Sequence, residues 1–264
     1  MSWYVGEIFR RDALLAWVGV INLALALVMV LLLPFDTRLV AGINPWIKPL
    51  KFALSIALYA FTVAWYMGEA QKGGALRSTV RWGIALAMMT EIACIGMQAA
   101  RGTTSHFNNA TAFDAGVFQL MGAMISLNTV LGIGLLWLLR GPTAAPRVAY
   151  LWGLRFGLVL FLLATVEGFA MVAASAHTVA LPDGGPGLPF LNWSTRAGDL
   201  RVAHFLGLHS LQIFPIAGYL LDQLRPYWSS GGRVTAMGAC AAVWLALMVG
   251  LFLQAMAGRP FLAL

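Results

Sequence analysis

Seven stretches of the chain are almost entirely apolar, and each is about as long as a helix that crosses a membrane. They lie near residues 13–33, 47–68, 80–100, 115–139, 148–175, 200–224 and 234–257. A helix needs roughly 20 apolar residues to cross the hydrocarbon core of a bilayer. The pattern therefore predicts an all-α, polytopic transmembrane bundle of about seven helices.

Composition agrees with the hydrophobic pattern, because 60% of the residues are hydrophobic and only 10% are charged. Seven spans joined by short loops use nearly all of the 264 residues, so we expect residues 1–264 to form one integral membrane domain. Cys94 and Cys240 both fall inside apolar stretches, which disfavours a disulfide framework and a cysteine-based zinc motif.

The net charge of +7 comes from Lys and Arg residues that lie at the ends of the predicted helices. Such residues set the orientation of a membrane protein, so nucleic-acid binding is disfavoured. Seven spans put ten Lys and Arg on the side of the N-terminus and seven on the other side. We therefore predict a cytoplasmic N-terminus, an external or periplasmic C-terminus and a place in the bacterial inner (cytoplasmic) membrane.

Polar residues inside the predicted spans share helical faces. At 100° per residue, the third span places Glu91, Cys94, Gln98 and Arg101 within about 80° of arc. Similar stripes occur in the second span (Lys48, Lys51, Ser55, Tyr59, Thr62 and Tyr66) and in the sixth (Arg201, His204, His209, Gln212 and Tyr219). The fifth span adds Glu167, and the fourth adds Asp114, Gln119 and Asn128. We expect these faces to line one polar pocket that opens to the outside.

Depth along the helices places two carboxylates at the floor of the predicted pocket. Glu91 and Glu167 lie roughly 12 to 15 Å below the outer helix ends, and His209 lies at a similar depth. A charge near the bilayer centre costs about 2.5 to 3.5 kcal/mol, so each carboxylate needs a partner, a proton or an ion. A purely structural alternative is pairing within the bundle, such as Glu91 with Gln98 or a facing lysine.

The first functional hypothesis is an intramembrane enzyme that acts on an amphipathic or lipid-like substrate. Glu91, Glu167 and His209 would be the catalytic residues. A zinc or iron ion would be held by Glu91, Glu167, His204 and His209, since carboxylates and imidazoles suit such ions. The predicted contacts to an anionic ligand or lipid headgroup are Lys48, Lys51, Gln98, Arg101, Arg201 and Gln212.

Two alternatives belong to other functional classes. In the first, a b-type haem takes His204 or His209 as an axial ligand in a redox or sensor protein. In the second, Glu91 and Glu167 titrate in a proton-coupled carrier of small solutes, although the inner half of the bundle carries few polar residues. The long outer loop over residues 176–198 is either a lid over the pocket or a plain connector.

Overall fold

The computed structural model describes residues 2–70, 74–140 and 147–263, and these residues form eight helices. The helices are α1 (Ser2–Arg11), α2 (Ala13–Leu32), α3 (Ile47–Glu69), α4 (Gly74–Ala100), α5 (Ala112–Leu138), α6 (Val148–Ala174), α7 (Arg201–Leu224) and α8 (Ser230–Met256). Two short strands, β1 (Thr178–Val179) and β2 (Gly198–Asp199), pair antiparallel before α7. The prediction of an all-α architecture is confirmed.

Each of the seven predicted spans corresponds to one helix, from α2 to α8. Six of these helices, α2 to α6 and α8, are long and apolar enough to cross a membrane, which indicates an integral membrane protein. The sequence pattern missed α1, because ten residues with two terminal arginines carry no long apolar run. It also placed the start of α4 six residues too late, since Arg77 interrupts the hydropathy but not the helix. Lys72, which the charge count includes, lies outside the described residues.

The chain divides into two compact units, Met1–Leu139 and Arg140–Leu264. The first unit contains α1 to α5, and the second contains α6, the β1–β2 hairpin, α7 and α8. Each unit has its own packed interior.

In the first unit, charged side chains join the N-terminal segment to α3 and α4. Arg11 donates to the carboxylates of Glu7 and Glu69, at 2.8 and 2.9 Å, and its guanidinium lies over the ring of Trp65. Asp12 caps α2 by accepting the backbone N–H of Leu15, and it also forms an ion pair with Arg81. The start of α2 is thus fixed by contacts that hydropathy does not reveal.

In the second unit, α6 and α7 pack closely because glycines face the neighbouring backbone. A Cβ atom at Gly153 would lie 2.4 Å from the carbonyl oxygen of Phe214, and one at Gly218 would lie 2.3 Å from that of Ala149. Small residues allow helices in membranes to approach this closely. Ser210 adds a hydrogen bond from its hydroxyl to the Gly157 carbonyl, at 2.8 Å.

Asp222 joins three helices of the second unit at one end. Its carboxylate accepts the backbone N–H groups of Ala149 and Tyr150, at 3.2 and 2.9 Å, in the first turn of α6. It also accepts from Arg233 at 2.8 Å, in the first turn of α8. The N–H groups at a helix start lack partners within the helix, so a carboxylate there satisfies donors and complements the helix dipole.

The long outer loop is folded by its own hydrogen bonds. The Asp183 carboxylate accepts the backbone N–H groups of His177 and Thr178 and the Thr178 hydroxyl. The other end of the loop is held against α8, because a Cβ atom at Gly198 would lie 1.9 Å from the carbonyl oxygen of Ala255. The loop therefore forms an ordered hairpin at the end of the second unit.

Candidate functional site

The ten predicted site residues are divided between the two units. Lys48, Lys51, Glu91, Gln98 and Arg101 belong to the first unit. The second unit contains Glu167, Arg201, His204, His209 and Gln212. Each group is considered within its own unit.

In the first unit, Gln98 and Arg101 are joined to a residue of the next helix, Asp114. Gln98 donates its amide to Asp114 Oδ1 at 2.9 Å, and Arg101 donates to the same oxygen at 2.5 Å. Arg101 also donates to the Gln98 side-chain oxygen, while the Thr111 hydroxyl donates to Asp114 Oδ2 at 2.6 Å. The end of α4 is thereby tied to the start of α5, and Asp114 is saturated with donors.

Arg101 remains partly accessible despite these bonds. Its side chain is 40% exposed, and its guanidinium lies 4.7 Å from the centre of the Phe113 ring. A predicted role in anion binding therefore depends on the part of the guanidinium that does not bind Gln98 and Asp114.

Glu91 lies in the interior of the first unit, with only 5% of its surface exposed. Lys48, in the first turn of α3, is close enough for its charge to attract the carboxylate. One turn further along α4, Cys94 packs in an apolar cluster with Val117 and Met121. The pairing of Glu91 with a facing lysine, which the sequence analysis gave as a structural alternative, stays a prediction.

In the second unit, Glu167 and His204 lie next to each other on the paired helices α6 and α7. His204 Nδ1 lies 3.3 Å from Glu167 Oε2 and 2.8 Å from the carbonyl oxygen of Ala164. A carbonyl oxygen only accepts hydrogen bonds, so Nδ1 carries a hydrogen and donates a hydrogen bond to the Ala164 carbonyl. The ring is close to the Glu167 carboxylate but is directed at the backbone.

Both carboxylate oxygens of Glu167 are buried and accept no hydrogen bond from any described residue. The 3.3 Å between His204 Nδ1 and Glu167 Oε2 is short enough for an ion pair, but the two atoms are not oriented for a hydrogen bond. Buried polar groups in proteins are nearly always hydrogen-bonded, so an exception calls for an explanation. Glu167 is the one predicted site residue whose charged group the surrounding protein leaves unsatisfied in this way.

His209 lies on a different side of α7 from His204. Its ring centre is 4.2 Å from that of Phe205, in an edge-to-face contact. Phe205 in turn contacts Trp193 of the outer loop. The two histidines thus have different neighbours, in agreement with the five-residue spacing that separates them along the helix.

Arg201 is held by the protein itself. It donates to both oxygens of Asp199, at 2.8 and 2.6 Å, and to the carbonyl oxygen of Asn192 at 2.5 Å. Asp199 is 1% exposed and also accepts the backbone N–H of Ser194. Arg201 therefore joins the outer loop to the start of α7.

No three His, Cys, Asp or Glu side chains come together as a metal-binding group anywhere in the described part of the chain. Glu167 and His204 supply two such groups at one place. The predicted metal set of Glu91, Glu167, His204 and His209 draws on both units and stays a prediction.

Asp12, Asp199 and Asp222 are buried carboxylates that the sequence analysis did not single out. Each lies at or near a helix end, where a carboxylate resembles an ordinary solvated residue. A signal was available for Asp222, because it lies two residues before the end of one apolar stretch and Arg233 directly precedes the next one. That signal indicates an ion pair but does not identify the helix whose first turn the Asp222 carboxylate caps.

The chain matches no family model, no curated protein and no solved structure among those with which it was compared.

Proposed function

We propose that this protein is a proton-coupled carrier of small solutes and that Glu167 takes up and releases the proton. One observation carries the proposal. The Glu167 carboxylate is buried in a helix long and apolar enough to span the membrane, and none of the described residues donates a hydrogen bond to either oxygen.

A carboxylate in that position must lose its charge or gain a counter-charge. An unpaired charge near the bilayer centre costs about 2.5 to 3.5 kcal/mol, and a bound proton removes it without requiring space. The imidazole of His204, 3.3 Å away, supplies a second group that can hold a proton. A carboxylate and an imidazole side by side form a pair between which one proton can move.

Two other buried carboxylates of the second unit support this assignment by contrast. Asp199 and Asp222, also in the second unit, each accept backbone N–H groups and an arginine. Their negative charge is stabilised permanently, which suits a structural role. Glu167 has none of these donors, and this suits a residue whose charge changes during function.

The proposal includes a seventh span and an orientation. We assign α7 as the seventh span, because its 24 residues extend about 36 Å and its glycines pack against α6. With a cytoplasmic N-terminus, the end of α6 that carries Glu167 lies in the outer half of the membrane. We place the protein in the bacterial inner membrane, where basic inner loops are typical of helical bundles.

The proton-binding step can be tested by infrared spectroscopy on the protein in proteoliposomes. Raising the pH should remove a carboxylic-acid C=O band in the wild type, and Glu167→Gln should lack that band. Glu7→Gln serves as the control, because Glu7 pairs with Arg10 and Arg11 outside the spans. A spectrum in which Glu167→Gln removes no titrating band would overturn the proposal.

Transport can be tested with the same proteoliposomes. A defined mixture of amino acids, sugars and organic amines is offered under an imposed pH gradient, and mass spectrometry measures uptake. We expect at least one solute to accumulate with the wild type in a gradient-dependent manner and not with Glu167→Gln. Uptake that ignores both the gradient and the substitution would remove proton coupling.

An intramembrane metalloenzyme is the second candidate, and the His204 ring favours it. A histidine that binds a metal through one ring nitrogen usually donates the other N–H to a carbonyl or carboxylate. His204 donates a hydrogen bond from Nδ1–H to the Ala164 carbonyl, which leaves Nε2 as the ring nitrogen with a lone pair for a metal. Metal analysis of the purified protein would support this candidate if zinc or iron were present and lost in His204→Ala, whereas a haem absorption band would point to the b-type haem alternative.

A further inference from the structure

We infer that His204 is the residue through which the proton reaches and leaves Glu167. The inference rests on the proposed function, since it requires that Glu167 take up a proton. It assigns to His204 the transfer of a proton between the carboxylate and the outer end of the second unit.

The accessibility of the two side chains sets the order of the transfer. The His204 side chain is 25% exposed and that of Glu167 14%, and both Glu167 oxygens are buried. A proton that arrives from outside therefore meets the imidazole before it meets the carboxylate. The ring lies only three residues from Arg201, which is anchored at the start of α7.

The position of Nδ1 between two acceptors gives the pathway. The atom lies 2.8 Å from the Ala164 carbonyl oxygen and 3.3 Å from Glu167 Oε2. Both oxygens accept, so a small rotation of the ring redirects the Nδ1–H bond from the backbone to the carboxylate. No backbone movement is needed for that exchange.

The transfer balances as two proton movements on one ring. Nε2 takes up a proton from the outside and the ring becomes an imidazolium. The Nδ1–H bond then breaks and an O–H bond forms at Glu167 Oε2, which leaves a neutral ring protonated at Nε2 and a neutral carboxylic acid. The reverse movement restores the first state: the Glu167 O–H bond breaks as an N–H bond forms at Nδ1, and Nε2 releases its proton to the outside, which leaves a carboxylate and a ring whose Nδ1–H can donate to the Ala164 carbonyl again.

Gly168 provides the space for the ring to occupy this position. A Cβ atom at Gly168 would lie 2.8 Å from His204 Cε1 and 3.1 Å from Nδ1. A side chain there must push the imidazole away from Glu167. Gly168 is therefore a positioning residue for the histidine, with no contact of its own to the proton.

Two arginines of this unit, Arg201 and Arg233, are engaged elsewhere. Arg201, on the same helix as His204, binds Asp199. Within the described span of α8, Arg233 and Cys240 are the titratable side chains, and Arg233 binds Asp222. On α6, Tyr150 and Arg155 lie more than two turns from Glu167. The immediate partner of the Glu167 carboxylate is the imidazole.

The test measures how fast Glu167 gains its proton after a pH jump, by time-resolved infrared spectroscopy of the full chain in proteoliposomes. His204→Ala should slow the rise of the Glu167 band by about 10²-fold, as expected for loss of a proton-transfer residue. Added imidazole should restore much of the rate, because free imidazole can occupy the space and carry the proton.

Two further variants keep the test decisive if the alanine variant does not fold. His204→Gln can still donate to the Ala164 carbonyl but cannot carry a proton, so it should be slow and should not respond to imidazole. Gly168→Ala should slow the rise by displacing the ring. Gly250→Ala, where a Cβ atom meets nothing within 4 Å, is its matched control and should leave the rate unchanged.

The outcomes separate the inference from the proposed function. An unchanged rate in His204→Ala or His204→Gln, with the Glu167 band still present, overturns the relay and leaves the carrier proposal standing. If the wild type shows no Glu167 band at all, the proposed function fails and the relay fails with it.

Discussion

Asp222 and Glu167 are two carboxylates on the same pair of helices, and the protein treats them in opposite ways. Asp222 accepts two backbone N–H groups and an arginine, whereas neither oxygen of Glu167 accepts a hydrogen bond from a described residue. Both are largely buried. Burial alone therefore does not separate these two carboxylates; the supply of donors does.

The largest effect is expected at Asp222. Asp222→Ala should lower the free energy of unfolding by about 3 kcal/mol, because it leaves Arg233 and the first turn of α6 without their acceptor. Asp222→Asn keeps an oxygen acceptor and should lower it by about 1 kcal/mol. Denaturant unfolding in detergent, followed by circular dichroism, measures both. Equal effects of the two variants would contradict the assigned role of the charge.

The close packing of α6 on α7 predicts the next largest effect. Gly153→Ala should lower the free energy of unfolding by about 2 kcal/mol, because its Cβ atom would overlap the Phe214 carbonyl and force the helices apart. The same unfolding measurement applies. Gly250→Ala, which faces open space, should be neutral, and a loss of similar size there would mean that the effect is not specific to this contact.

Glu167→Gln should change the free energy of unfolding little, and any change should be an increase, opposite to the losses in Asp222→Ala and Gly153→Ala. Removing a charge that has no donors is expected to leave the free energy of unfolding unchanged or to raise it by up to about 1 kcal/mol. An unchanged or raised free energy of unfolding in Glu167→Gln, together with the loss in Asp222→Ala, would support the contrast between the two carboxylates. A destabilisation as large as that of Asp222→Ala would show instead that Glu167 is held by the protein as a structural charge.

The smallest effect concerns a third carboxylate, Asp183, in the outer loop. Burial would raise the pKa of Asp183, but the hydrogen bonds from His177 and Thr178 outweigh it and hold the pKa well below its usual value. Because the pKa of Asp183 is lowered in the folded loop, the stabilisation that its carboxylate gives the loop is complete above about pH 4. That stabilisation is lost as the pH falls further.

Hydrogen exchange of the loop amides should therefore become faster on acidification below about pH 4, after correction for the intrinsic rate. Asp183→Asn should exchange fast at every pH. Loop protection that is independent of pH in the wild type would contradict this account of the hairpin.

The sequence predicted the helices well because hydropathy is a property of continuous segments. All seven apolar stretches became helices, and their ends moved by only a few residues except at the start of α4. The short amphipathic α1 escaped prediction because it carries no apolar run. Helical periodicity also placed Gln98 and Arg101 on one face, and the structure joins them through hydrogen bonds.

Hydropathy and helical periodicity thus suffice for the membrane class, the seven long helices and the polar residues within them. Tertiary structure decided which of those residues have donors, since that depends on side chains from other elements. Asp114 meets Gln98 and Arg101 across a loop, Asp222 meets the start of α6, and Glu167 meets an imidazole that is directed at the backbone. Spacing along one helix fixes the face on which a side chain lies. The partner that the side chain meets on that face belongs to another helix or loop, and only tertiary packing brings the two together.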